Sequence, residues 1–464
     1  MKSHQTDFST GSVKRNILEV AAPMTVAQLL NLLYNIVDRI YIGRIKDAGT
    51  IALSGVGLCF PIITLISAFT FLFGNGGSPL CAMERGRGNK EEAERYMGNA
   101  FSMLLITGVI LMVLGYLIHR PVLYLFGASD VTYPYARAYL MIYLAGTLFV
   151  MTTLGLNPFI NCQGFGNVGM TTVLIGAVIN IVLDPILIFG LNMGVRGAAV
   201  ATVFSQLCST IWVLRFLTGK SAELKLNRAA MKLSAKRVKA IVSLGISGFA
   251  MAFTNSLVHV ACNATLMQYG GDIYVGVMTV LNSVREIFTM PVQGLSSGAS
   301  PVMSFNYGEK VYWRIKEAIR FLTAATAVYT LICWGILRFF PEPFIRLFNK
   351  DPELLAKGVP AMHIYFFGFV FMALQFTGQN VFVALGKAKR ATFFSFLRKA
   401  FIVVPLTLLL PGAGKMGVEG VFWAEPISNI IGGCACYLTM LITVLPELNG
   451  KKKSEEPQSE AVKK

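Results

Sequence analysis

Gly77-Ser78-Pro79-Leu80, followed by Gly86, returns 222 residues later as Ala299-Ser300-Pro301-Val302, followed by Gly308. Each copy closes a long apolar run and opens a charged stretch. Two further anchors keep the order and nearly the spacing. Gly166 and Thr172 match Gly386 and Thr392 at an offset of 220, and Met193-Gly194-Val195-Arg196-Gly197 matches Met416-Gly417-Val418-Glu419-Gly420 at 223. Three anchors in one order at a nearly constant offset mark an internal duplication, and a duplication sets architecture before any single element does.

The composition around these anchors belongs in a bilayer. The 464 residues are 54% hydrophobic and 14% charged, with mean hydropathy +0.60; a soluble average is roughly 25% charged. A helix needs about 20 mainly apolar residues to cross. Twelve such runs can be read: 17–40, 51–76, 96–118, 138–162, 168–190, 197–218, 238–268, 273–304, 315–338, 360–385, 391–411 and 418–445. Six per repeat is an even number, so both copies enter the membrane the same way. The expected fold is all-α integral membrane, with twelve transmembrane helices in two six-helix lobes related by a pseudo-two-fold axis along the membrane normal. The expected divisions are an N-terminal segment 1–16, an N-lobe 17–218, a basic linker 219–237, a C-lobe 238–445 and a disordered tail 446–464. Two parallel lobes with a cleft suit alternating access by rocking. Pro23, Pro61, Pro185, Pro291 and Pro405 fall within runs and are candidate bends.

The formal charge of +17 is scattered in short clusters between apolar runs. No basic face with interleaved aromatics appears, so no nucleic-acid partner is expected; the lipid bilayer is. Placing both termini in the cytoplasm puts 26 Lys and Arg on that side and 11 on the other. That bias orients the chain with both ends inside the cell inner (plasma) membrane. The polar start of the chain predicts no cleaved leader. The eight cysteines, nearly all within apolar runs, lack metal or disulfide spacing and read as packing residues. No HExxH, GxSxG or paired acidic metal motif stands on the aqueous ends of the runs, so the protein is not expected to be an enzyme.

Ionisable groups inside spans are costly and mark function by default. Asn31, Tyr34, Asn35 and Asp38 recur in the first run; Asn31, Asn35 and Asp38 share one helix face. An interfacial ion pair of Asp38 with Arg39 is the plain alternative. In the fifth run Asn180 and Asp184 share a face, and Pro185 deprives the carbonyl of residue 181 of its usual donor. Carboxylate, amide and free carbonyl together suit a hydrated cation or a transferable proton, and Thr202 offers another oxygen. In the second half Arg285 and Glu286 lie mid-span, with His259 and Glu425 as partners. This possible polar network reads either as functional or as a fixed pair that stabilises the lobe. No resident cofactor is expected, only H+ or Na+ as a coupling ion.

Several stretches resemble the multidrug and toxic compound extrusion (MATE) transporters. They are Pro23 with Tyr34-Asn35-Ile36-Val37-Asp38-Arg39-Ile40-Tyr41-Ile42-Gly43, then Asn180-Ile181-Val182-Leu183-Asp184-Pro185, Gly194-Val195-Arg196-Gly197-Ala198-Ala199, and Pro301-Val302-Met303-Ser304-Phe305-Asn306-Tyr307-Gly308. The resemblance covers residues 14–445 and implies antiport: export of organic compounds, often cationic or lipophilic, against inward H+ or Na+. Its prokaryotic DinF-like branch carries a cation site at positions matching Asp38, Asn180, Asp184 and Thr202, which would also be the Na+ ligands if sodium couples. Asn157 matches a polar position beside that site, and Pro23 a proline at which the first helix bends. Another branch, typified by NorM, binds sodium through acids where this chain has Asn255 and Leu374 or Gln375, which favours coupling in the N-lobe. Asn31, Tyr34, Asn35, Asn157, Asn255, His259 and Gln375 are then site-lining or substrate-facing candidates. A monomer binding small organic substrates is expected. The competing reading is a lipid-linked oligosaccharide flippase of related fold, which calls for a more basic cavity than Arg285 alone provides.

Overall fold

The computed structural model describes residues 5–45, 49–348 and 351–453, and it is helical almost throughout. In hydrocarbon every backbone N–H and C=O must be satisfied within the protein, and a helix does this segment by segment. The helices are α1 (Val13–Gly43), α2 (Gly49–Gly57), α3 (Phe60–Gly86), α4 (Lys90–Leu125), α5 (Tyr133–Ala145), α6 (Thr147–Asn161), α7 (Gly166–Pro185) and α8 (Val195–Thr218) in the first half. The second half has α9 (Ala235–Gly270), α10 (Asp272–Gly308), α11 (Tyr312–Phe339), α12 (Pro341–Phe348), α13 (Pro352–Tyr365), α14 (Met372–Ala384), α15 (Ala388–Phe396), α16 (Val404–Leu409) and α17 (Val418–Lys453).

Among the described residues nine helical stretches are long and apolar enough to cross a membrane, and two bent pairs bring the number to 11. The remaining expected span is α10. Its 37 residues are ample for a crossing at about 1.5 Å per residue, but Arg285 and Glu286 make it less apolar. The fold is that of the twelve-helix, two-lobe class.

Two expected spans are bent. The run 138–162 divides into α5 and α6 with a 57° bend, and the run 360–385 into α13 and the Phe369–Ala384 stretch with a 47° bend. Glycines sit at both corners. A Cβ on Gly146 would strike the Val203 side chain, and one on Gly368 would strike the Pro426 backbone. Of the proline positions, Pro23 lies inside an unbroken α1, Pro61 opens α3, and Pro185 ends α7 before a π turn at Ile186–Gly190. Pro291 lies inside α10 and Pro405 opens α16.

The chain divides into two compact units, one of residues up to Asp7 with Leu18–Phe253, the other of Phe8–Ile17 with Thr254 onward. The division falls inside α9, not at the basic stretch 219–237. That stretch packs on α4. Asn99 Nδ2 donates to the carbonyls of Ala230 and Lys232, the Ser234 N–H donates to Asn99 Oδ1, and Arg237 holds Glu92 with two hydrogen bonds of 2.7 and 2.8 Å. The first turns of α9 then press on α3. A Cβ on Gly76 would meet the Ile241 carbonyl and the Gly245 backbone, and one on Gly245 would collide with the Leu72 carbonyl. Small residues permit this backbone approach.

The polar start of the chain is anchored. Within the first unit the Thr6 N–H donates to the Gly164 carbonyl at 3.0 Å. Within the second, buried Phe8 lies edge-on to Phe305, and Arg314 donates to the carbonyls of Thr10 and Gly11. At the other end α17 runs on to Lys453, beyond the position 446 at which the tail was expected to start; residues 454–464 of that tail lie outside the described residues. Among the described residues all eight cysteines are free thiols, and six are buried.

Gly245→Val is expected to abolish this α3–α9 approach, at a cost of ~1–3 kcal/mol or more for overpacking. Thermal-shift size exclusion of the detergent-solubilised variant should show a lowered transition or loss of the main peak. An unchanged profile would show that the approach carries no weight in the fold.

Candidate cation site and buried ion cluster

In the first unit, α1, α7 and α8 bring Asp38, Asn180, Asp184 and Thr202 together. Asp184 and Asn180 are 0% and 1% exposed. Asn180 Nδ2 lies 3.4 Å from both Asp184 Oδ1 and Thr202 Oγ1. The carboxyl groups of Asp38 and Asp184 come within hydrogen-bonding reach of each other. Oδ1 of Asp38, Oδ2 of Asp184 and Oδ1 of Asn180 are buried with no hydrogen-bond donor. Two carboxylates so close repel when both are ionised, and a shared proton or a cation between them removes the repulsion. The surplus of oxygen acceptors fits either guest. Carboxylate, amide and hydroxyl oxygens are the donor set of a hard cation rather than a soft transition metal.

The Arg39 guanidinium lies over the Phe60 ring, 4.6 Å from the centroid; among the described residues it makes no close ion pair with Asp38, although its charge still reaches that carboxyl. Tyr34 sits close enough to both carboxyls to interact with them. Asn35 Nδ2 donates to the Asn31 carbonyl and to Asn31 Oδ1, at 2.7 and 2.8 Å, which stiffens the polar face of α1. Two residues escaped the sequence reading: Tyr139, hydrogen-bonded to Thr202 and near Asp38, and Tyr143, near Tyr34. Both lie on α5, four residues apart, with rings stacked at 6.1 Å. Asn157 is not brought in. Its amide donates to the Gly169 carbonyl, 11 residues before Asn180, about 16 Å along α7 at 1.5 Å per residue.

The second unit holds a different cluster. Glu425 Oε1 accepts from Arg285 at 3.1 Å, Arg398 at 3.1 Å and Lys399 at 3.0 Å, and Oε2 accepts from Lys399 at 3.0 Å. Arg398 also donates to Asn429 Oδ1 at 2.7 Å. Arg398 and Lys399 stand on a π turn, Leu397–Val403, a widened helical turn that recurs at functional positions. Glu286, expected in this network, faces outward on the exposed side of α10. Neighbouring side chains on a helix point apart, and here only Arg285 turns inward. Asn255 and His259 line a cleft beside Arg285 and Lys399. Gln375 is 6% exposed, and its Oε1 is buried without a donor.

Helices of this length, with ionisable groups sequestered among them, define a polytopic membrane protein. Comparison with known proteins narrows the class. The MatE family model matches residues 23–186 and again 247–409, and the chain belongs to that family, whose members are transporters. The two matches also fall at the spacing of the internal repeat. The chain is 26% identical to the multidrug export protein MepA of Staphylococcus haemolyticus over 439 residues, covering 94% of each chain. It is 23% identical to MepA of Staphylococcus aureus over 442 residues, covering 94% of this chain and 95% of the relative. A multidrug resistance MATE family transporter in an outward-facing conformation superposes with TM-score 0.89 at 21% identity, covering 96% and 99% of the two chains. A MATE structure in the bent conformation gives 0.89 at 22%, covering 96% and 97%. These relatives lend the flippase reading no support.

Removing one partner of a buried ion cluster strands the rest, at a cost of ~3–5 kcal/mol. Glu425→Gln would strand three cations and should lower the thermal transition of the purified protein sharply. Lys399→Met together with Glu425→Gln should recover part of the loss. A single Glu425→Gln variant as stable as the parent would dissolve the cluster as a structural element.

Proposed function

We propose that this chain is a secondary active efflux transporter that exports organic compounds by alternating access in exchange for H+ or Na+. The relatives named for multidrug export, similar over nearly their whole length, support the class of substrate. The observation that carries the mechanism is the pair Asp38 and Asp184, in reach of each other and holding buried oxygens without donors. On the outer side the pair takes up a proton or Na+, with Asn180 and Thr202 supplying further oxygens. Loading removes the repulsion and lets α1 repack, with Pro23 as its point of flexure; on the inner side the ion leaves and the repulsion returns. Such a guest shifts the balance of states only through its different affinity for each. No bond of the exported compound is made or broken, so the protein is not an enzyme. The charge bias of the connecting segments supports a plasma-membrane protein with both termini inside.

Asp38→Asn and Asp184→Asn are each expected to reduce gradient-driven dye efflux from proteoliposomes to the level of empty vesicles, while the proteins stay folded by size exclusion. Full activity in both variants would remove this pair from the mechanism. A pH gradient and a sodium gradient, each imposed alone on the parent protein, identify the coupling ion by which of them drives efflux.

A further inference from the structure

The stretch of the first unit between α8 and α9 is held in a way that water alone would not require. Asn99 donates to the carbonyls of Ala230 and Lys232 and accepts the Ser234 N–H, and Ser102 donates to the Met231 carbonyl at 2.8 Å. The N–H groups of Ala230, Met231 and Lys232 go to Asn227 Oδ1 and to the carbonyls of Arg228 and Ala229. An irregular segment in water can leave such groups to solvent; one at membrane depth must satisfy them within the protein. The contacts place the segment at that depth. Ser102 follows Tyr96, where the apolar run 96–118 begins, by about 9 Å along α4 at 1.5 Å per residue. The polar layer on each side of a bilayer is roughly 5–8 Å thick, so the turn at Met231 reaches the boundary between headgroups and acyl chains. It also sits on the lipid side of α4. Asn99, Ser102, Ile106, Val109 and Val113 follow at three- and four-residue spacing on one face, and the last three are 44%, 44% and 46% exposed.

Around this turn the acids are already spent. Glu92 holds Arg237, Glu94 accepts from the Lys225 N–H and from Asn227, and Glu223 holds Arg85. Arg228, Lys232, Lys236 and Lys239 are exposed, and among the described residues no carboxylate pairs with them. Leu233, beside Lys232, is 45% exposed. We propose that residues 228–239 bind the headgroup of an anionic phospholipid. Arg228 and Lys232 take the phosphate oxygens, Lys236 and Lys239 add charge from the first turns of α9, and Leu233 rests among the acyl chains. A guanidinium gives phosphate two parallel N–H···O bonds, and each basic side chain at an anionic membrane surface adds to binding. The site goes beyond the efflux reading and needs neither its cargo nor its coupling ion.

Native mass spectrometry of the full-length protein, released from detergent with added lipid, counts the lipids that stay bound. Phosphatidylglycerol is compared with phosphatidylcholine of the same acyl chains, whose headgroup adds a cation to the phosphate. The parent protein is expected to hold phosphatidylglycerol about tenfold more tightly, within what two basic side chains at a headgroup supply. Arg228→Gln combined with Lys232→Gln should bring the two lipids within about twofold of each other. Lys389→Gln combined with Arg390→Gln, which removes the same charge from the second unit, should leave the preference intact. Equal retention of both lipids by the parent overturns the proposal, and this comparison needs no variant to fold. So does a preference that survives the first pair of substitutions, or one that both pairs abolish alike. Inorganic phosphate as competitor separates a lipid from a free anion: displacement at the concentration of the lipid itself would assign the site to a soluble anion and overturn it too. None of these readouts involves transport, so the efflux reading stands or falls apart from them.

Discussion

Hydrocarbon offers a polar group neither hydrogen bonds nor dielectric relief, and the rest of this structure follows from that. Backbone groups are satisfied by closing into helices. Small residues let those helices meet at backbone distance, as at Gly76 and Gly245. The ionisable side chains that remain inside must be clustered, since an isolated charge in a medium of low dielectric costs far more than one with partners. The molecule meets this demand once in each unit, in two ways.

In the first unit the cluster is acidic and under-satisfied, with long contacts of 3.4 Å and buried oxygens that have no donor. In the second it is basic around a saturated carboxylate, with contacts near 3.0 Å. The repeat makes the comparison sharper. At the 223-residue offset of the anchors, Thr202 of α8 corresponds to Glu425 of α17; at the 220-residue offset, Asp184-Pro185 corresponds to Val404-Pro405. The duplication thus kept the proline and one polar place, Thr202 against Glu425, whereas Asp184 is matched by the apolar Val404. Each half keeps a π turn beside the corresponding proline, at Ile186–Gly190 and Leu397–Val403, where the regular ladder of helix hydrogen bonds is already interrupted.

Much of this was legible in the sequence because hydrocarbon makes polar residues conspicuous. Asp38, Asn180, Asp184 and Thr202 stand out against apolar neighbours, and the repeat anchors count the spans. Other features gave no such signal. Tyr139 and Tyr143 lie at the start of the run 138–162, where tyrosine is ordinary interfacial material; only the bend at Gly146 makes that stretch two helices. Arg398 and Lys399 fall within the run 391–411, close behind Lys387, Lys389 and Arg390, and nothing in the sequence ties them to Glu425, which the fold brings to them. The bends at Gly146 and Gly368 depend on Val203 and Pro426, which are far away in the chain. Asn157 shows the reverse error: a polar residue in an apolar run, spent on the Gly169 carbonyl instead of the site.

The contrast between the clusters also decides which can act as an ion-driven switch. A switch needs two states of similar energy that differ in response to a single ion. Glu425 cannot supply this. It accepts four charge-assisted hydrogen bonds, and neutralising it would strand three cations at once, a step too costly to repeat in every cycle. Asp38 and Asp184 are placed the other way. Their oxygens are short of donors, so an arriving proton or cation relieves a repulsion already present, and its departure restores a state that the fold already tolerates. The saturated cluster is suited to hold its helices in place, and the unsaturated one to respond to a guest. That division follows from the count of donors around each carboxylate.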